Sequence, residues 1–190
     1  ADYAAWQRTR MQAAELERRL AFWRERLAGL PVLELPTDRP AGTAAGFAGG
    51  RCALTLPQPL LADIQRLART HGATTYAVLL AALQTVLHRY TGQTDVVVGS
   101  ALAGRTVPAT EEIVGYFSQV LPMRTRLDGD QSFETLLEHV SDGVLEVLEH
   151  QDVPFEALAL ELQRAGRPAD APLFRVVLTM QTPPAEYRLG

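Results

Sequence analysis

The chain has 190 residues, 47% of them hydrophobic, enough for one domain with its own core. A net charge of −4 argues against a general nucleic-acid binder, and no apolar run approaches the ~20 residues that cross a bilayer. The single cysteine, Cys52, excludes an internal disulfide and a cysteine zinc site, and no metal site is expected elsewhere. No charged-then-apolar leader opens the sequence, so no signal peptide is expected; the lone cysteine points to reducing cytosol, with neither membrane nor nucleic acid expected as partner. Ala1-Asp2-Tyr3 does not look like a natural start, which suggests a piece of something longer. All 18 basic residues are arginine, a pattern we read as coding bias. Six arginines fall in the first thirty residues, and ten acidic residues with no arginine occupy 128–161. Both runs read as solvated helix faces; the sharper alternative is an acidic partner approaching the arginine end.

Ala13, Leu16, Leu20, Trp23 and Leu27 form one apolar stripe, which predicts a helix from Tyr3 to Leu27, ended by Gly29 and Pro31. Residues 31–50 hold three prolines and four glycines and read as an extended connection. Arg51–Leu56 reads as a short strand. Pro57 and Pro59 open a helix closed at Gly72. Thr74-Thr75 caps the next, which runs to about Tyr90; its all-round apolar stretch Ala77–Leu83 predicts burial on most sides. Asp95–Gly99 is β-branched without alternation, as in a strand covered on both faces. Leu121–Leu127 alternates with Arg124 and Arg126, as in a half-exposed strand. Ser132 caps a helix through Leu148, Pro154–Arg164 is a helix stopped by Gly166, and Leu173–Met180 is a last strand. Strands alternating with helices predict an α/β layered sandwich, a mostly buried mixed sheet flanked by helices.

Few stretches carry chemistry. Ser100 follows a strand as a nucleophile would, but the G-x-S-x-G elbow needs glycine where Val98 stands, so a turn or cap serine is the better reading. There is no phosphate loop and no lysine to complete one, and no dinucleotide glycine fingerprint. His139 and Asp142 share one side of a helix but lie off its apolar stripe and face water. His71 and His88 sit near helix ends, where a cation suits the dipole. His150-Gln151-Asp152-Val153-Pro154-Phe155-Glu156 reads as a corner between two helices. There Asp152 caps the second helix, Pro154 lies in its first turn, and Phe155 enters the core beside Leu158.

Five stretches, in order, resemble motifs of the condensation domains of non-ribosomal peptide synthetases. Asp2–Gln7 (DYAAWQ) resembles DYAxWQ. Asp95–Arg105 (DVVVGSALAGR) and Val114–Arg124 (VGYFSQVLPMR) resemble a strand-and-turn pair in that family. HQDVPFE matches without a break, and Ala171–Val176 (APLFRV) resembles its last motif. The resemblance implies one lobe of a chloramphenicol-acetyltransferase-like fold, two of which form a V around a tunnel. It implies a role in joining a carrier-bound acyl or peptidyl thioester to a carrier-bound aminoacyl thioester. It also implies no directly bound cofactor, only the phosphopantetheine arms of partner carrier proteins. The family's HHxxxDG signature does not occur in these 190 residues, and His139–Gly143 (HVSDG) has the wrong spacing and place. Residues 1–190 are therefore expected to be the C-terminal lobe, without a catalytic residue of its own and inactive alone. Its expected partners are an N-terminal lobe and carrier proteins; a non-catalytic docking or scaffold module is the alternative. A lobe without its mate should show an apolar face, through which self-association is expected.

Carried over by position, Trp6, Ser100, Arg105, Tyr116 and Gln119 are the tunnel or lobe-interface candidates. Arg105 is expected either to pair with the aspartate of the active-site motif or to bind backbone carbonyls of its own turn. Trp6 lies near the lobe junction or simply packs in the core. Tyr116 and Gln119 line the tunnel side, with Ser118 and Gln119 standing where the family commonly has valine and asparagine. Gly115 and Pro122 read as backbone-shape residues.

Overall fold

Thr74 begins the helix around which the core is built. Its hydroxyl oxygen accepts the Ala77 amide at 3.1 Å, and Gly92, at φ 72°, caps the other end. The computed structural model describes residues 2–10, 13–38, 49–168 and 171–181, leaving aside the side chains of 2, 4, 8, 10 and 13. The helices are α1 (Asp2–Arg10), α2 (Ala13–Leu27), α3 (Gln58–Thr70), α4 (Thr75–Thr91), α5 (Phe133–Glu149) and α6 (Phe155–Arg164). The strands are β1 (Asp95–Leu102), β2 (Gln119–Arg126) and β3 (Val177–Leu178), in the order β2-β1-β3. β2 is antiparallel and β3 parallel to β1, so the sheet is mixed. The expected α/β sandwich is what forms.

Three successive β1 residues, Val96, Val97 and Val98, are at most 2% exposed, so both faces of that strand are covered. α4 presents Ala77, Val78, Leu80, Ala81 and Leu87 to the core, and α5 presents Leu137, Val140 and Val147. α2 adds Leu20, Trp23 and Leu27, the stripe read from the sequence. Each fully buried side chain of this size contributes about 2 kcal/mol of transfer free energy. Among them lies Gln84 of α4, fully buried, whose Nε2 donates to the Met123 carbonyl of β2 at 3.1 Å.

Several expectations are corrected. The helix expected over Tyr3–Leu27 is present as α1 and α2; residues 11 and 12 between them lie outside the described residues. Gly42 and Gly46 of the 31–50 connection likewise fall outside them. Arg51–Leu56 is exposed throughout and pairs with no strand among the described residues. Its alternation suits a strand, but a ladder requires a neighbour for its backbone groups. β1 runs on to Leu102, which puts Ser100 inside a strand rather than in a turn. The last strand is only two residues long; just before it the Val176 carbonyl accepts the Gly99 amide at 2.8 Å, and the Phe174 ring covers Gly99.

β2 is not half-exposed at Arg124. That side chain is 7% exposed, forks onto the Asp95 carboxylate at 2.9 and 2.6 Å, and donates to the carbonyls of Arg26 and Ala28. Part of the charge asymmetry is also satisfied internally. Arg19, Arg24 and Arg26 of α2 pair with Asp152, Glu161 and Glu146 at 3.4, 2.5 and 2.6 Å. Through these pairs α2 is tied to α5 and α6, while most of the acidic residues of 128–161, among them Glu134, Glu138, Asp142 and Glu149, are exposed, as expected of a solvated face. Arg24 holds the Glu161 carboxyl below its ordinary value, against burial, which opposes it. Burial lowers the Arg26 guanidinium despite Glu146 beside it.

Candidate functional site

One cleft of about 530 Å³ is built where four separate segments meet. α1 contributes Tyr3 and Gln7, the approach to β2 contributes Tyr116 to Val120, α6 opens with Pro154, Phe155 and Glu156, and Phe174 closes the far wall. These segments are four of the five motifs singled out in the sequence. The fifth, DVVVGSALAGR, supports them from behind. Gly99 leaves room for Phe174: a Cβ there would come 2.7 Å from the ring. Gly104, at φ 66°, lies so close under the Phe117 carbonyl that no side chain fits.

Arg105 shapes the cleft without lining it. Its guanidinium donates to the carbonyls of Thr110, Ile113 (3.0 Å) and Gly115 (3.4 Å), and lies 4.3 Å over the Phe117 ring. Of the two expected roles, the described bonds are those of a turn arginine. The loop it fixes carries Ile113, Val114 and Tyr116, respectively 41%, 101% and 88% exposed. Tyr116 therefore joins the cleft to an apolar prominence.

The other candidates divide. Tyr116 and Gln119 both line the cleft, and the Gln119 Oε1 is buried without a hydrogen-bond partner among the described residues. Trp6, 39% exposed, stacks on Tyr3 with ring centroids 5.6 Å apart; Tyr3 in turn meets the Phe117 ring edge-on at 4.6 Å. Ser100 is elsewhere: 1% exposed within β1, its Oγ accepts the Tyr76 hydroxyl at 2.6 Å. Burial raises the Tyr76 phenol above its ordinary value, and the Ser100 contact only partly offsets this. Sequence reading did not single out Tyr3, Gln7, Phe117, Phe155, Glu156 or Phe174 as site residues. Their signal was available, since each lies within a quoted motif.

HQDVPFE is the expected corner between α5 and α6, but it is capped and packed differently. Pro154 is the N-cap of α6 and provides no side-chain cap. Asp152 instead accepts the Thr106 hydroxyl at 2.8 Å and pairs with Arg19, tying the corner to the turn after β1. Phe155 is half-buried on the cleft rather than in the core; Val153, fully buried, fills that place. The His150 ring stacks on Phe22 at 3.8 Å, its Nδ1 lies 2.9 Å from the Glu146 carbonyl, and its own carbonyl accepts the Trp23 indole N–H. His139 and Asp142 are exposed, as expected. They border a groove of about 730 Å³ with Arg26, Arg124 and Glu146, whose charges are already paired with one another or with Asp95. No histidine lines the cleft among the described residues. Among those residues no cluster of metal-ligating side chains occurs, and no helix is long and apolar enough to cross a membrane.

The mixed sheet, its helical layers and the motif-built cleft define an α/β domain of the chloramphenicol-acetyltransferase type. The condensation-domain family model matches residues 1–187, and the chain belongs to that family. A linear gramicidin synthase from Brevibacillus parabrevis is 44% identical over 187 residues, 98% of this chain and 2% of that protein. A plipastatin synthase from Bacillus subtilis (strain 168) is 39% identical over 181 residues, 95% of this chain and 7% of that one. Among solved structures, the X-domain from teicoplanin biosynthesis superposes with a TM-score of 0.81 at 31% identity, covering 93% of this chain and 40% of that one. The first condensation domain of the CDA synthetase gives 0.69 at 29%, covering 83% and 34%. The chain thus spans well under half of these solved domains and a few per cent of the synthetases.

Proposed function

We propose that residues 1–190 act as the C-terminal lobe of an amide-forming condensation domain in non-ribosomal peptide synthesis. In this reading the lobe supplies one wall of the tunnel in which an acyl or peptidyl thioester meets an aminoacyl thioester, each carried on a phosphopantetheine arm. The observation that carries it is the convergence of the family's motifs on one cleft: DYAAWQ, VGYFSQ, HQDVPFE and APLFRV are dispersed over most of the chain and meet there. The cleft has aromatic walls and a few polar groups, suited to a slender amide-bearing chain. Amide formation also needs a group that can take or hold a proton at the attacking amine. In this reading that group comes from the lobe bearing HHxxxDG and the chain alone is inactive; no histidine lines the cleft among the described residues.

A carrier protein whose pantetheine arm bears a photoreactive diazirine tests the placement. Crosslinks are expected within Tyr116–Val120 or Phe155–Glu156; crosslinks confined to other surfaces would contradict it. One observation favours a second reading, a docking module without chemistry. An X-domain of this fold from teicoplanin biosynthesis is known in complex with OxyB, and it is 30% identical to this chain with a TM-score of 0.77. That reading predicts carrier or enzyme binding that weakens with salt, and no condensation even when an HHxxxDG lobe is supplied.

A further inference from the structure

We infer that Arg51–Leu56 is a dimerisation strand, which pairs antiparallel with the same stretch of a second copy of this chain. The inference stands apart from the condensation reading. The stretch has the chemistry of a strand and no strand beside it. Cys52, Leu54 and Leu56 alternate with Arg51, Ala53 and Thr55. Pro57 follows at φ −60° and ψ 144°, and a residue before proline is driven to extended backbone. All six residues are exposed, Leu54 by 86%, and their backbone groups have no hydrogen bond among the described residues. The space next to them is open, since a Cβ added at Gly49 or Gly50 meets nothing within 4 Å.

Unpaired strand groups are a template for another strand, and only an extended chain answers their alternating N–H and C=O groups. The stretch itself suits a second copy. Its one charge, Arg51, stands at the end. Parallel self-pairing would set arginine against arginine, whereas antiparallel pairing about a two-fold axis keeps the two apart. The apolar alternation then fixes the register. With Leu54 of each copy opposite the other, Cys52 of one meets Leu56 of the other, and one face of the pair is apolar throughout. That face has a surface to rest on. The turn at 71–74 sends α4 back along α3, which places Leu60, at the start of α3, at the end of α4 that carries Val86 and Tyr90. All three are exposed, Tyr90 by 73%. The prominence beside the cleft is a different kind of surface, because Arg105 already engages the carbonyls of Ile113 and Gly115 there.

The lone cysteine makes the test direct, because any thiol-linked dimer joins Cys52 to Cys52. In the expected register the two lie four residues apart along the pair, about 13 Å, within reach of a short bismaleimide. The 190-residue chain is expected to give a covalent dimer on a denaturing gel and a reversible one in sedimentation. Leu54→Pro removes a strand N–H, and Leu54→Lys sets two like charges opposite each other. Each is expected to lower dimer affinity and crosslink yield by roughly tenfold or more, with an unchanged circular dichroism spectrum, since the core does not use this stretch. Val114→Asp, on the prominence, is expected to leave the Cys52 crosslink in place. No crosslink from the wild-type chain, a crosslink that survives both Leu54 variants, or one lost with Val114→Asp would overturn the inference. So would a monomeric chain whose 51–56 amides shift in NMR on adding a valine- and threonine-rich strand peptide, which would give the edge to another protein. None of these outcomes bears on the condensation reading.

Discussion

Arg105 shows how much one side chain can organise. Its planar fork reaches three carbonyls of the 110–115 loop and covers Phe117. Lysine has a point charge and no fork, so Arg105→Lys should behave almost like Arg105→Ala. Each is expected to lower stability by about 2 kcal/mol in urea unfolding, the typical worth of hydrogen bonds from a charged donor. Recovery of wild-type stability by lysine would contradict the forked geometry. Asp152 offers a second test at this scale. Serine is as good a helix cap as aspartate, but it cannot reach both Arg19 and Thr106. Asp152→Ser should therefore lose about 1 kcal/mol, as much as Asp152→Ala. A fully stable serine variant would restore the cap assignment. Sequence alone favoured that cap because an aspartate before Pro154 fits the local rule; two of its partners, Arg19 and Thr106, lie 133 and 46 positions away.

Between elements, the seam joining α2 to α5 and α6 is electrostatic as well as apolar. Arg24, by hydrogen bonding, keeps the folded-state pKa of Glu161 below its ordinary 4.5. A depressed carboxylate adds stability that is present above that value and is lost as the pH falls through the folded-state pKa. Thermal unfolding should thus show stability declining as the pH drops below about 4.5, and Glu161→Gln should flatten that decline. An unchanged acid profile in the variant would remove Glu161 from the account. The packing of β1 against the segment before β3 makes a steric prediction. Gly99→Ala brings a Cβ within 2.7 Å of Phe174, and overpacking of this kind costs about 1–3 kcal/mol. It should also displace Phe174 from the cleft, visible as changed ring shifts in NMR; an undisturbed ring would contradict the contact. Helices were the most legible elements. Periodicity located α3 to α6 and the stripe of α2, and Thr74 and Ser132 proved to be caps. Strands were less legible, since whether Arg51–Leu56 or Leu173–Met180 joins a ladder depends on what lies beside it. Arg124 looked solvent-facing because alternation reveals a face but not the Asp95 and α2 carbonyls that cover it.

For the whole molecule, the site was legible as motifs and not as geometry. Tyr116 and Gln119 were named and do line the cleft. Ser100 was named and is buried in β1, because a motif states which residues recur, not which way each points along a strand. The exposed Ile113, Val114 and Tyr116 continue the cleft wall as an apolar prominence, the surface we expect an opposing lobe or a second copy to cover. Sedimentation should accordingly show association of the chain that Val114→Asp weakens; a monomer at all concentrations would contradict self-association. The central claim is tested most directly by fusing the chain behind the HHxxxDG-bearing lobe of a related condensation domain and supplying donor and acceptor carrier proteins loaded with their thioesters. The account predicts a dipeptidyl thioester, detected by mass spectrometry, from the fusion and none from the chain alone. Peptide-bond formation by the chain alone, or none by a fusion that folds and binds both carriers, would contradict it.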